Sequence, residues 1–456
     1  MQAIFIIGLI LCFIKSFDFI YLFQIKEYRL DRFFSMLNEN NPLVIFYFNR
    51  LHLPAKKLRN LSIILSVLVI FITIFFTIKP TNLLIIWLFA FYPLISFAMV
   101  LLCVLISSLP VNFYRKQVIN KAKSLVNQSQ AVFIGITGSY GKTTTKEFLF
   151  QILSKKFRVA KTDNNQNTDI GIALSIIKNL KPNTQYFIAE LGAYKKSEIK
   201  KACEIIKPEI GILTGIGNQH LDLFGSKKQL IEAKKELLQA LPEKGRGYIN
   251  QEILNDVSNA SLIKDLSCKV IAYSNLKNAG LEPPIQLPIG SHNLVNLTAA
   301  AVAARDLNIS KTLIIQAIQQ IRPLQGKLSI HSGINRSTII NDSSNSSGEG
   351  FIAAIKAINA YPQSKKIILS KGIIELGQEK KSTYKKILSE IYQTHAVLYT
   401  TDRLFKSSDK KNRVFFFSNE NQILASLNSH LGPDTVIVVE GRFTSSFISA
   451  LISNRI

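Results

Sequence analysis

Two apolar runs near the start of the chain constrain its folding more than any other feature: "LSIILSVLVIFITIFFTI" at 61–78 and "LLIIWLFAFYPLISFAMVLLCVLISSL" at 83–109, the second without a single charge. About 20 apolar residues cover the hydrocarbon core of a bilayer, so each run is expected to be a transmembrane helix. Pro93 falls inside the second run, where it predicts a kink that a membrane helix tolerates. A third run, 3–23, is interrupted by Lys15 and Asp18 and is expected either to span or to lie in the interface. No basic residue precedes it and no small-x-small site follows, which disfavours a cleaved signal peptide. Basic residues set the orientation. The 24–60 connection carries Lys26, Arg29, Arg32, Arg50, Lys56, Lys57 and Arg59, the 79–82 turn only Lys79, and the chain beyond 110 carries Arg115, Lys116, Lys121 and Lys123. The expected location is therefore the cytoplasmic membrane, with the 24–60 loop and everything after 110 facing the cytosol. Arg29 and Arg32 read as topology anchors or as contacts for an anionic headgroup, making membrane lipid an expected partner.

The remaining chain has ample length for two further domains. Lysine and arginine number 55 against 30 acidic residues, a net charge of +25, which suits a polyanionic substrate, an anionic membrane or a nucleic acid. The basic residues are scattered, with no arginine-rich tract and no aromatic-interleaved basic motif, so no nucleic-acid partner is expected. Cys12, Cys103, Cys203 and Cys268 lie far apart and imply neither a disulfide framework nor a zinc site.

Chemistry enters at "FIGITGSYGKTTTKEFL", 133–149. The first part reads as a buried strand and the last as a helix, which places Gly138, Ser139, Tyr140, Gly141, Lys142, Thr143 and Thr144 at a strand-to-helix turn. Backbone amides at such a turn favour an anion. Lys142 can reach the β/γ-phosphates of ATP, and the Thr143 hydroxyl can ligate Mg²⁺. The spacing is compact, because the position five residues before Gly141 is Ile136 and the earlier glycine is Gly138.

Further motifs follow in order: "NNQNTDIGIALSI" (164–176), "AELGAYKKSEI" (189–199), "GIGNQHLDLFGSKKQLIEAKKEL" (215–237), "GSHNLVNLTAAAVA" (290–303), "LQGKLSI" (324–330) and "NDSSNSSG" (341–348). Together with the phosphate loop they resemble the Mur ligase family of ATP-dependent amide-forming enzymes, over about 130–456. Within that family they are most similar to the subgroup that adds D-alanyl-D-alanine to a UDP-muramoyl tripeptide. The resemblance implies a carboxylate activated by phosphoryl transfer from ATP and then attacked by an amine, with ATP and Mg²⁺ as cofactors. It implies Glu190, His220 and Lys234 as metal-site residues, Lys234 as a carbamate, with Lys142, His220 and Lys234 catalytic. Asn293, Asn296, Lys327, Asp342 and Asn345 would contact the nucleotide. His292 is a weaker candidate. Read without the family, Glu190 is a carboxylate at a strand end, Lys234 one of two lysines on a solvated helix face, and the two asparagines helix caps.

The chain also departs from the pattern. Membrane segments stand where the family has a soluble UDP-binding domain, Lys327 replaces an arginine and loses its bidentate fork, and "DSSNSSG" lacks the aromatic or histidine that the family has before Asn345 and the proline beyond it. Glu440 replaces a lysine, and the 273–290 stretch is short. The expected architecture is α/β: a transmembrane region at 1–110, a central P-loop domain with a mostly parallel sheet at 111–322, a hinge at Pro323, and a Rossmann-like domain at 323–456. The expected partners are a cell-wall precursor carrying a carboxylate and an amine donor, whether amino acid, dipeptide or ammonia. Three readings stay open: D-alanyl-D-alanine addition to a UDP-muramoyl peptide, amidation or extension of a lipid-linked precursor or a poly-γ-glutamate-like polymer, and a catalytically weak ATP-binding membrane scaffold.

Overall fold

The apolar runs fold as the helices Gln2–Ile25, Leu58–Thr77 and Asn82–Gln128, all long and apolar enough to cross a membrane by length and composition. The computed structural model describes the chain apart from residues 40, 50, 218–223, 225, 282–292, 322–325, 327, 328, 344–347, 360, 374–379, 428, 429 and 453–456. Pro323 and the expected hinge therefore lie outside the described residues.

The structure divides into two units, Met1–Val118 and Ile119–Ile456. In the first, Lys15 and Asp18 are tolerated because they pair with each other one turn apart, at 2.9 Å, both out of solvent. The unit has its own core, in which Phe19, Phe23, Phe33 and Phe46 pack with Val67, Phe71 and Val100. The long third helix leaves helical geometry at Phe91 (φ −118°, ψ 18°), two residues before Pro93, where the proline ring crowds the preceding turn. It also runs past the apolar stretch to Gln128.

The second unit holds two six-stranded sheets. The first comprises β1 (Val132–Thr137), β2 (Val159–Lys161), β3 (Tyr186–Glu190), β4 (Ile210–Leu213), β5 (Arg246–Asn250) and β6 (Lys269–Tyr273). Its order is β2-β3-β1-β4-β5-β6, and every pairing is parallel. β1 lies between β3 and β4, so the connections depart to opposite sides there. The carboxyl end of such a strand is where open α/β sheets bind ligands. The helix Leu294–Asp306 packs with Lys142–Leu153 in one core. Its buried run Ala299, Ala300, Ala301, Ala303 and Ala304 has no bulk to hold a neighbouring backbone away.

The second sheet comprises β7 (Ser329–Ser332), β8 (Thr338–Asp342), β9 (Lys365–Ser370), β10 (Val397–Thr400), β11 (Val414–Phe416) and β12 (Thr435–Glu440), in the order β11-β10-β9-β12-β8-β7. Only the edge pair β7–β8 is antiparallel. β12 is buried along its whole length, which accounts for the unbroken apolar run "VIVV" of a strand covered on both faces. The fold is α/β with parallel sheets, as the alternating pattern predicts.

Candidate nucleotide and catalytic site

The turn between β1 and the helix Lys142–Leu153 holds its shape through two glycines. Gly138 has φ +153° and Gly141 φ +80°, conformations in which a Cβ is strained. At Gly141 an added Cβ would also run into the Asn296 side chain. The loop is tied from β4's side: Ser139 N donates to Gly215 O at 2.7 Å, and the Thr214 hydroxyl donates to the Thr137 and Tyr140 carbonyls. Lys142 Nζ donates to Gly138 O at 2.8 Å and Ser139 O at 3.4 Å, so its ammonium lies over the loop.

Glu190 ends β3 directly beside this turn, in register with Ile136 of β1. It is 4% exposed. Asn167 Nδ2 donates to its Oε1 at 3.2 Å, and Lys146 Nζ lies 3.4 Å from its Oε2. Burial pushes the carboxyl upward, yet Lys142, Lys146, and hydrogen bonds from Asn167 and Thr143 outweigh it and hold the group below the usual range. The Thr143 hydroxyl and an ionised Glu190 thus face each other, an oxygen pair suited to a hard divalent cation.

Lys234 comes from the helix Lys227–Gln239. It lines the same small cleft as Gly138, Ser139, Lys142, Asn167 and Tyr194. Desolvation first, then the charge of Lys142, lowers its pKa to about 7, with Glu198 and Glu236 opposing. The side chain is 3% exposed, so it does not lie on the solvated face that the helix pattern alone allowed. Lys235 is buried as well but is not among the cleft residues.

Asn296 reaches the loop from Leu294–Asp306: Thr145 Oγ1 donates to its Oδ1 at 3.4 Å, and its Nδ2 lies 3.5 Å from Asn293 Oδ1. Asn293 is the cap residue of that helix but makes no side-chain capping bond. Asp342 belongs to the other sheet, buried at the end of β8 in register with Glu440 of β12. His220, His292, Lys327 and Asn345 lie outside the described residues. Among the described residues no group of three or more His, Cys, Asp or Glu side chains gathers at one point.

Two side chains at this site were not singled out from the sequence. Asn167 was present only as part of a motif. Lys146 is fully buried, contacting Glu190, Glu147 at 3.6 Å and the Thr162 carbonyl at 3.1 Å. One signal was available: a lysine one turn after Lys142 on a helix whose other side is core.

Residues 136–286 match the Mur ligase middle domain. The chain is 27% identical over 319 residues to the UDP-N-acetylmuramoyl-tripeptide--D-alanyl-D-alanine ligase of Bacillus subtilis, covering 67% of this chain and 66% of that protein; it therefore spans just under two thirds of that relative's length. The fold is similar to that of MurF from Acinetobacter baumannii, with a TM-score of 0.65 at 22% identity over 74% of this chain and 80% of the other. It is also similar to MurF ligase from Thermotoga maritima in complex with ADP, with a TM-score of 0.63 at 20% identity over 72% and 80%. The phosphate loop at the switch point of the parallel sheet thus lies in the segment that matches the Mur ligase middle domain, and the chain around it is similar in sequence to a D-alanyl-D-alanine-adding ligase and in fold to MurF structures.

Proposed function

We propose that the chain is an ATP-dependent carboxylate–amine ligase, anchored in the cytoplasmic membrane by its N-terminal helices, that joins D-alanyl-D-alanine to the peptide carboxylate of a UDP-muramoyl tripeptide. The observation that carries this reading is the convergence of Lys142, Thr143, Glu190 and Lys234 at the carboxyl ends of β1 and β3. The substrate pair comes from the name of the Bacillus subtilis relative.

The residues present fit Mg²⁺-ATP. The glycines let the Gly138–Gly141 turn pack directly against Thr214 and Asn296 and so present its backbone at the start of the helix, and Thr143 with Glu190 supplies two oxygen ligands, leaving other positions for phosphate oxygens and water. When bound, Mg²⁺ neutralises charge on the transferring phosphoryl group. Lys142 exchanges its loop carbonyls for phosphate oxygens and follows the charge that moves with the γ-phosphoryl. That group passes to the substrate carboxylate, giving an acyl phosphate and ADP. The amine then attacks the acyl carbon, phosphate leaves, and a proton is released as the amide forms. Lys234, with its pKa near 7, has an unprotonated fraction at neutral pH able to take up CO₂ as a carbamate, an anionic group for the metal site. Asn296 and Asn293 border the phosphate turn on the nucleotide side.

A second reading, amidation or extension of a lipid-linked precursor or anionic polymer, is favoured by the three bilayer-length helices. The deciding experiment is ADP release by detergent-solubilised full-length protein with Mg²⁺-ATP. Turnover with UDP-muramoyl tripeptide and D-alanyl-D-alanine is expected. Turnover only with lipid-linked precursors and small amines selects the second reading, and ATP binding without turnover on either set leaves a scaffold.

A further inference from the structure

The connection between the first two bilayer-length helices is built inside out. Residues 44–48 form one wide helical turn, and the backbone is extended at Asn49 and at Lys57. Phe46 enters the aromatic core, but five other apolar side chains of the connection face outward: Leu43 is 64% exposed, Phe48 79%, Leu51 55%, Leu53 72% and Leu58 85%. Two polar side chains, Asn49 and His52, instead reach back to a buried carboxylate. Asn49 Nδ2 donates to both carboxylate oxygens of the fully buried Asp18 at 3.1 Å, and His52 Nδ1 lies 3.3 Å from Asp18 Oδ1.

Gln24 of Gln2–Ile25 and Asn60 of Leu58–Thr77 secure the segment's backbone. Ala55 N donates to Gln24 Oε1 at 2.7 Å, and the Ala55 carbonyl accepts from Asn60 Nδ2 at 2.8 Å. In water this arrangement is reversed, because exposed apolar and buried charged side chains are each unfavourable. Asp18 stands seven residues before the end of its helix, about 10 Å along the axis at 1.5 Å per residue. That depth below the helix end matches the acyl boundary occupied by interfacial elements. Lys56 and Lys57 are exposed at the segment's far end, where anionic headgroups would meet them. Exposed apolar side chains continue into the following helix at Leu61 and Leu65.

We propose that residues 41–58 are an interfacial element of the cytosolic leaflet. Leu43, Phe48, Leu51 and Leu53 lie at the acyl boundary, Lys56 and Lys57 lie among anionic headgroups, and Asp18 is the internal tether. Bilayer lipid is thus the partner of this surface. The inference rests on the reading of the flanking helices as membrane spans.

Trp87 is the sole tryptophan, so Trp87→Phe gives a silent background into which Phe48→Trp or Leu53→Trp is placed in the full-length chain. The proteins are reconstituted in phosphatidylcholine–phosphatidylglycerol vesicles carrying bromine at shallow or deep acyl positions. Blue-shifted emission is expected, with a larger loss of intensity from shallow than from deep bromines and little from aqueous iodide. Quenching by iodide, stronger quenching by deep bromines, or quenching by neither lipid would each overturn the proposal, the last because protein then covers the surface. Flotation of the Trp87→Phe parent with vesicles separates the two levels. A parent that does not float removes the span reading, whereas a parent that floats with water-exposed tryptophans removes only this inference.

Discussion

Lys234 shows how far a residue's chemistry depends on neighbours that the sequence does not place beside it. In "IEAKKELL" it is one lysine of two, and only packing of its helix under the phosphate loop buries it and lowers its pKa to about 7. The sign of the resulting linkage follows from the proton count. The unfolded chain holds a proton on this lysine at any pH between about 7 and its ordinary value, while the folded chain releases it, so stability rises with pH across that window. Lys234→Met is therefore expected to raise thermal stability over wild type most below pH 7, and less as pH increases; a gain independent of pH would remove the buried-lysine account. Activity should move the other way. Lys234→Ala is expected to lose most ADP release and to recover part of it with short carboxylic acids, and normal turnover in that variant would exclude a role in the reaction. Lys142→Ala should abolish ATP turnover while vesicle association is kept. Lys142 and Thr143 were legible because a phosphate grip is a local device, a turn of fixed spacing. Asn167 and Lys146 were not, because they reach Glu190 only after β3 is laid beside β1.

Secondary-structure elements were legible in proportion to their apolar length. β1, β3, β4 and β6, and β8 to β12, coincide with runs such as "AVFIGI", "YFIAE" and "TVIVVE". β2 has three residues, β5 reads "RGYIN", and β7 reads "SIHS" with half its side chains facing water, so none carries a buried-strand pattern. Helix termini hold a comparable surprise. The helix Glu198–Ile206 starts at Ser197, whose φ of +72° is left-handed and whose side chain makes no capping bond. Its amides are capped from elsewhere: Glu236 accepts from Ser197 N at 2.6 Å and from Lys200 N at 2.9 Å. Glu236 sits two residues after Lys234, so one helix carries the cleft lysine and fastens its neighbour. Glu236→Ala strands these amides and is expected to lower local stability by about 1–3 kcal/mol, read as faster hydrogen exchange at 197–206. The same change removes an anion that opposes the lowering of the Lys234 pKa, so that value should fall further. Unchanged exchange would show that water caps the helix equally well.

At the scale of the whole molecule, the cores of both sheets are built entirely from residues beyond 118, while the first unit packs its own aromatic core. The Ile119–Ile456 part therefore has the buried apolar surface to fold without the three long apolar helices' own core, and all described phosphate-loop and metal-site candidates lie within it. A protein beginning at Ile119 is expected to be soluble without detergent and to melt cooperatively. Mg²⁺-ATP should raise its melting temperature, since a ligand that binds only the folded state stabilises it in proportion to the logarithm of saturation. The lack of any ATP-dependent shift in a folded truncate would mean that the nucleotide site needs the first unit, contrary to the separation of the cores. Once binding is retained, turnover carries the remaining information. Full ADP release with the soluble UDP-muramoyl peptide makes the first unit dispensable for the reaction, whereas retained ATP binding with lost turnover, restored only in the full-length chain, assigns substrate recognition to Met1–Val118.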